Sequence, residues 1–350
     1  MTVLDKPSPS EIRRARTDNP NTRERDLAVE LGIYEAELVA AHCGVGVRRI
    51  EPRVSDLLLN MEAVGEVMAL TRNESAVHEK IGIYENVHVG PHSAMTLGTN
   101  IDLRIFPDQW AHAFAVEKQD GDQTRRSLQF FDAVGEAVHK IHLRPGSDLD
   151  AYGKLVELLA SDDQSEGLDI RPRQVVVREP SDASPNDLRE RWGAMTDVHQ
   201  FVGILRKLNL SRHDAVSMVG DDYARKLDLS SLQSMFAHVI EQEVPIKCFV
   251  GNHGCIQIHS GPVQNLKPMG PWINVMDETF HLHLRQDHIS ELWLVRKPNK
   301  DGHVTSIEAY DSERRMIIQF FGKRTEGEDE RKDWRTIAEN LPVIPHSRAA

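Results

Sequence analysis

Residues 103–116, LRIFPDQWAHAFAV, lie over residues 282–295, LHLRQDHISELWLV, when the chain is slid along itself by 179 positions. Leu103 meets Leu282, Asp108 meets Asp287 and Val116 meets Val295. The register holds without a gap over 70–143 against 249–322, pairing Asn73 with Asn252, Gly82 with Gly261, Lys118 with Lys297 and Ser127 with Ser306. A fixed self-similarity over so long a window reads as a duplicated structural unit. Within it, Phe280, Leu282 and Leu284 alternate with His281, His283 and Arg285, the period of a strand with one buried face. ISELWLVRK, PNKDG and HVTSIEAYD read as a hairpin, with MIIQFFGK as the next strand.

Helical sequence precedes each window. TRERDLAVELG, YEAELVAAHCG and RVSDLLLNMEAVGEVMAL serve the first half, and LRERWGAMTDVHQFVGILRKL, SRHDAVSMVG and SSLQSMFAHVIEQ the second. Here the offset is 177, placing LGIYEAELV over LNLSRHDAV. The prediction is an α+β fold with an internal duplication: each half a few helices followed by a large antiparallel β-meander, the two sheets packed together. The N-terminal repeat spans 1–165, a connecting segment 166–190 and the C-terminal repeat 191–350. The connection is polar and rich in Pro, Ser and Asp apart from the strand-like QVVVRE at 174–179, and the charged tail after Lys323 ends in a short helix through Asn340.

A net charge of −12 argues against a nucleic-acid binder. No apolar run reaches the roughly 20 residues of a membrane span, and the polar N-terminus lacks a secretory core. Three cysteines, none in a CxxC pair, fit a reducing compartment, so a cytoplasmic location is expected.

The stretch MTDVHQFVGILRKL, 195–208, reads as a helix with Val198, Phe201, Val202 and Leu205 on a buried stripe. His199 lies on the flank of that stripe, and Gly203 follows one turn later on the same flank. A glycine inside a helix costs roughly 1 kcal/mol relative to alanine. Either another backbone packs there or something flat and large does. The counterparts of His199 and Arg212 at the 177 offset are Thr22 and Glu35, so two ligand-capable side chains are private to the second half. Arg104 and Phe106 share one face of a strand, with His283 and Arg285 as repeat partners. Lys297, Gln319, Phe321 and Arg324 end or border strands of the second half, and Phe249 begins another. The ordinary reading makes Arg104 a surface ion pair and Lys297 a solvated turn lysine.

These residues carry a resemblance. ALTRNESAVHEKIGIYENV (69–87), MTDVHQFVGILRKLN (195–209), FVGNHGCIQIHSGPVQNLKPMGPWINVMD (249–277) and QFFGKR (319–324) resemble, in order and over nearly the whole chain, the bacterial haem-utilisation proteins of the HemS, ChuS and PhuS group. That resemblance implies that haem is the ligand, His199 the iron ligand and Arg104 the distal, catalytic arginine. It makes Phe106 and Phe249 apolar wall residues. It gives Arg212, Lys297, Gln319 and Arg324 to the haem propionates and the pocket rim. Phe321 stands where some relatives have tyrosine, and His78 matches a histidine tied in some relatives to a second haem site. Haem iron is commonly held by a proximal histidine, with distal donors deciding between storage and oxygen activation. The implied function is a cytoplasmic protein that takes up imported haem and degrades it to release iron. The alternative is a non-catalytic carrier delivering haem to a separate haem oxygenase, so enzymatic activity is open. The implied partners are an inner-membrane haem importer and a downstream haem oxygenase, with the chain a monomer or dimer and no membrane insertion.

Competing motifs are weak. Cys248, His253, Cys255 and His259, and separately His281, His283 and His288, cluster without a familiar zinc spacing. GVGVRR at Gly44 lacks the third glycine and preceding strand of a dinucleotide site, and no nucleophile elbow occurs.

Overall fold

A computed structural model describes residues 6–171, 181–324 and 329–344. The strand expected at 174–179 lies outside the described residues. The chain forms two nine-stranded antiparallel sheets. One runs, edge to edge, Val47–Ile50, His112–Asp120, Gln123–Phe131, Ala137–Leu143, Val67–Arg72, Ala76–Gly82, Phe280–Arg285, Trp272–Met276, Leu266–Met269. The other runs Ala224–Leu227, Glu291–Asn299, Gly302–Tyr310, Met316–Gly322, Ile246–Gly251, Cys255–Gly261, Asp102–Ile105, Ala94–Leu97, Val87–Val89. Position for position these are one design used twice. The 179 register is kept down to the bulge, which falls between Phe130 and Phe131 in one meander and between Ala309 and Tyr310 in the other.

The 177 register of the helices is equally exact. Ile33 N–H donates to Ala28 C=O where Leu210 N–H donates to Leu205 C=O, each reversing the chain after a left-handed residue, Gly32 (φ 68°) or Asn209 (φ 50°). Glycine and asparagine tolerate that conformation with the least strain. The register changes to 179 between the helices Val54–Val64 and Ser231–Glu241 and the strands that follow them.

The fold divides into two compact units: residues 1–72, 79–174 and 251–257, and residues 73–78, 175–250 and 258–350. Each is therefore one half of the chain that has traded a short turn with the other. In the first unit, Val67, Ala69, Leu128, Phe130 and Ile141 of the meander pack on Ala94, Leu103 and Ile105 of the second sheet, closed by Leu57, Met61 and Leu155 from helices. In the second, Ile246, Cys248, Leu294, Ile307 and Phe320 pack on Ile273, Val275, Leu282 and Leu284, closed by Met235, Phe236 and Trp334. The expected packing of sheet on sheet is thus realised inside each unit. Trp334 lies on the C-terminal helix Lys332–Glu339, whose C-cap is Asn340, as the sequence predicts.

Candidate functional site

The second unit carries most of the predicted site residues. The stretch from 188 to 208, read as one helix, is two: Pro185–Gly193 and Gln200–Lys207. The interruption is stabilised by side chains. Gln200 Oε1 accepts the Thr196 N–H at 2.9 Å, and Asp197 Oδ1 accepts the His199 N–H at 2.7 Å. Local side-chain acceptors of this kind compete with helix continuation. His199 is the N-cap of the second helix.

The buried stripe is also narrower than the sequence implies. Phe201 and Leu208 are buried and Ile204 and Leu205 partly so, but Val202 is 55 % exposed. The apolar side turns about Phe201, whose ring packs on Trp192 with centroids 4.8 Å apart. Val202 joins His199 and Gly203 on the open side. The His199 side chain is 92 % exposed. Its Nδ1 lies 2.7 Å from Asp197 Oδ1, which fixes the ring and leaves Nε2 for another partner. The Asp197 carboxyl is held below its ordinary range by the His199 backbone N–H first and the imidazole second, with Arg324 adding a smaller pull. A Cβ placed on Gly203 would meet nothing within 4 Å, so no backbone packs there.

Against the Phe201 side of this helix lies a polar cluster. Glu308, 0 % exposed, accepts four hydrogen bonds on Oε1: from Lys297 Nζ at 2.8 Å, Gln319 Nε2 at 2.9 Å, Arg212 Nη1 at 3.0 Å and Ser306 Oγ at 3.0 Å. Tyr310 donates to its Oε2 at 2.7 Å. Burial opposes ionisation of Glu308, but the Lys297 ammonium and the Arg212 guanidinium outweigh it and hold the carboxyl well below the usual range. Arg212 and Lys297 also each stand 5.0 Å from the centroid of the Phe201 ring, tying the cluster to the helix that His199 begins. Lys297 is therefore no solvated turn lysine. Phe249 and Phe321 sit beside the cluster, half-buried, with ring centroids 5.0 Å apart.

Arg104 and Phe106 lie in the first unit. Arg104 is ion-paired with Asp102 and also donates to the Leu103 carbonyl at 3.0 Å. Phe106 borders an open groove with His92, Asp108, Gln109 and His253. His78 is buried in the second unit with its ring 5.0 Å from Phe280. Cys248 and Cys255 are buried in the two cores, and among the described residues no group of three or more His, Cys, Asp or Glu is arranged to hold a metal.

Sequence reading missed Glu308, the hub of the cluster. Its signal was faint: the repeat places it opposite Gln129, a change of charge at a buried strand position.

The duplicated α+β architecture, with an exposed histidine at the start of a helix and a Glu308-centred polar cluster packed against that helix, defines a class, and comparison with known proteins gives it a family. The "Haemin-degrading HemS.ChuX domain" matches residues 32–159 and again 209–341, and the chain belongs to this family. It is 41% identical to the hemin transport protein HemS of Yersinia enterocolitica over 324 residues, 92% of this chain and 93% of that one. Holo-PhuS, a heme-binding protein from Pseudomonas aeruginosa, superposes with a TM-score of 0.93 at 41% identity, covering 97% of this chain and all of the other. ChuS, described as an E. coli heme oxygenase, superposes at 0.85 with 36% identity, covering 95% of this chain and 100% of that one.

Proposed function

We propose that this chain binds haem through His199 and acts in haem utilisation in the cytoplasm, opening the macrocycle to release iron. One observation supports the reading above the others: an imidazole oriented by Asp197 projects from an exposed helix face on which Gly203 leaves open space. A ring edge can approach where no Cβ stands. The iron ligand is a neutral imidazole, and the Asp197 carboxylate on Nδ1 selects the tautomer whose Nε2 is the free donor. Phe249 and Phe321 supply an apolar wall. Arg212, with Lys297 and Gln319 sharing Glu308 beside it, supplies the charge that carboxylate groups of the ligand require, and the family resemblance adds Arg324. Arg104 is assigned the distal role, donating a hydrogen bond to a sixth ligand of the iron. The family resemblance alone supports that assignment.

A second reading, delivery of intact haem to a separate oxygenase, is favoured by the exposure of His199, since a ligand held by a surface imidazole is open to handover. An inner-membrane haem importer would be the donor in both cases. The relatives are described in both ways, as transport proteins and as a heme oxygenase.

The test is an absorbance titration of the purified protein with ferric haem beside His199→Ala. A saturable Soret band at one haem per chain, weakened or shifted in the variant, is expected. An unsaturable wild type would overturn the reading. Reduction of the complex under oxygen with catalase present then separates the two functions: a single tetrapyrrole product marks degradation, whereas intact haem that passes to an added oxygenase marks carriage.

A further inference from the structure

The two repeats use the same buried place with opposite polarity. In the second unit the carboxylate is on the strand (Glu308) and the guanidinium at the start of the helix (Arg212). In the first unit the helix position is Glu35, which pairs with Lys140 Nζ at 2.5 Å and Arg72 at 3.0 Å. The strand position there is the neutral Gln129, whose Nε2 donates to Ser127 at 3.1 Å. Lys140 in turn occupies the place of Gln319. Only the second unit presents a cation at the helix start, and the Arg212 side chain is 31% exposed while that of Lys297 is 6% exposed.

Arg212 is not the sole partner of Glu308: Lys297, Gln319 and Ser306 also donate to its Oε1, and Tyr310 donates to its Oε2. Arg212 is held at two points, through Nη1 by Glu308 and across its face by Phe201. Among the described residues no further hydrogen bond of its guanidinium occurs, and four of its five donors are unspent. The charges of Arg212, Lys297 and Glu308 leave the cluster with one net positive charge, placed on its only exposed cation.

We infer that Glu308 is a positioning residue for anion recognition, fixing the Arg212 fork at the edge of the haem-binding face and leaving the cluster competent for a single carboxylate of the ligand. Lys297, named by the family resemblance as a direct partner of the propionates, acts through Glu308 instead. The inference rests on the haem reading above and deepens it.

The experiment compares binding of ferric haem with binding of its dimethyl ester, which keeps iron and ring but has no carboxylates. Wild type is expected to prefer the free acid by about tenfold or more, the value of one charge-assisted fork. Glu308→Gln should bring the two affinities within about twofold of each other by weakening the free acid alone. Since that variant leaves Lys297 without its counter-ion, the doubly neutral Lys297→Met with Glu308→Leu serves as a second: net charge is unchanged, Arg212 loses its anchor, and the preference should still collapse. Arg212→Gln should match them, with no further loss when combined with Glu308→Gln. A preference retained in Glu308→Gln or in the Lys297→Met, Glu308→Leu double variant, or equal weakening of both porphyrins, would overturn the inference. Failure of wild type to bind either porphyrin would remove the haem reading and this inference with it. His199→Ala should weaken both porphyrins, which separates loss of the iron ligand from loss of the carboxylate preference.

Discussion

Asn252 Nδ2 donates to the Val138 carbonyl at 2.8 Å, and 179 positions away in each partner Asn73 Nδ2 donates to the Ile317 carbonyl at 2.8 Å. Each asparagine also accepts two N–H groups of its own turn, Gly254 and Cys255 for Asn252, Ser75 and Ala76 for Asn73. These are the turns that the two halves exchange. An aspartate would keep the turn but lose the donor, and an alanine would lose both. Asn252→Ala should cost about 1–3 kcal/mol, since carbonyls and amides are left unpaired in a partly buried place. Asn252→Asp should cost less, because the turn acceptor survives. Shifts in the urea midpoint, followed by tryptophan fluorescence, check the order.

His199→Ala is expected to leave stability within about 0.5 kcal/mol of wild type, because the side chain is solvated and packs on nothing. Asp197→Asn should do likewise while changing the Soret maximum or the affinity, since the amide no longer enforces one tautomer. A thermal melt beside a haem titration separates the two effects. Unfolding of His199→Ala would show the residue to be structural.

Gly203 gives a sharper test, because two substitutions act oppositely. Gly203→Ala has room for its methyl group and should raise stability by up to about 1 kcal/mol through helix propensity. Gly203→Phe should also fold, yet it should weaken haem binding by obstructing the face. If both bind haem as wild type does, the ligand does not approach this turn.

Acid should destabilise the first unit earlier than its carboxylates alone would. Burial, with a smaller push from His142, drives the His139 imidazole down to about 3, and burial with Lys140 nearby drives His142 down to about 4. The ordinary imidazole value is about 6.5, so between that value and the folded ones the unfolded chain binds protons that the folded chain refuses. Stability therefore falls as pH drops below about 6.5, the contribution of His142 ending near 4 and that of His139 near 3. Glu35 acts in the same direction at lower pH. Burial opposes its ionisation, but Lys140 and Arg72 overcome this and hold it near 2, so its contribution is present above about 4.5 and lost as pH falls through 2. His139→Gln, which keeps hydrogen-bonding capacity toward Thr71 and Tyr84, should flatten the slope of melting temperature between pH 6.5 and 4.

The architecture was legible because the duplication supplied its own control: matched alternation at 179 marks strands that must bury the same face twice. The helix carrying His199 was legible only in part. Hydrophobic periodicity placed Phe201 correctly but buried Val202, since spacing does not say how wide a contact the neighbouring elements make. Nor could it show the break at 194–199, which depends on Gln200 and Asp197 turning back on the backbone. Glu308 escaped because its strand is covered on both sides. Ile307 and Ala309 face the sheet-on-sheet core, while Glu308 and Tyr310 face the helices, and two buried faces erase the alternation that would mark one as special. A charge that survives there does so only through partners that lie 11 and 96 residues away in sequence.

The exchanged turns also bear on descent and on dissection. Phe106 N–H and Trp110 Nε1 both donate to the Gly254 carbonyl, and Arg285 N–H donates to the Ser75 carbonyl. Neither repeat owns all the acceptors it requires. A gene cut between residues 166 and 190 would yield two fragments, each missing a piece that only its sibling encodes, and the fragments should recover order together rather than apart. Such mutual dependence is what fusion of a strand-swapped homodimer would leave behind. Once the copies were tethered, one could keep the histidine and the outward-facing guanidinium while the other gave up both for Thr22 and Glu35.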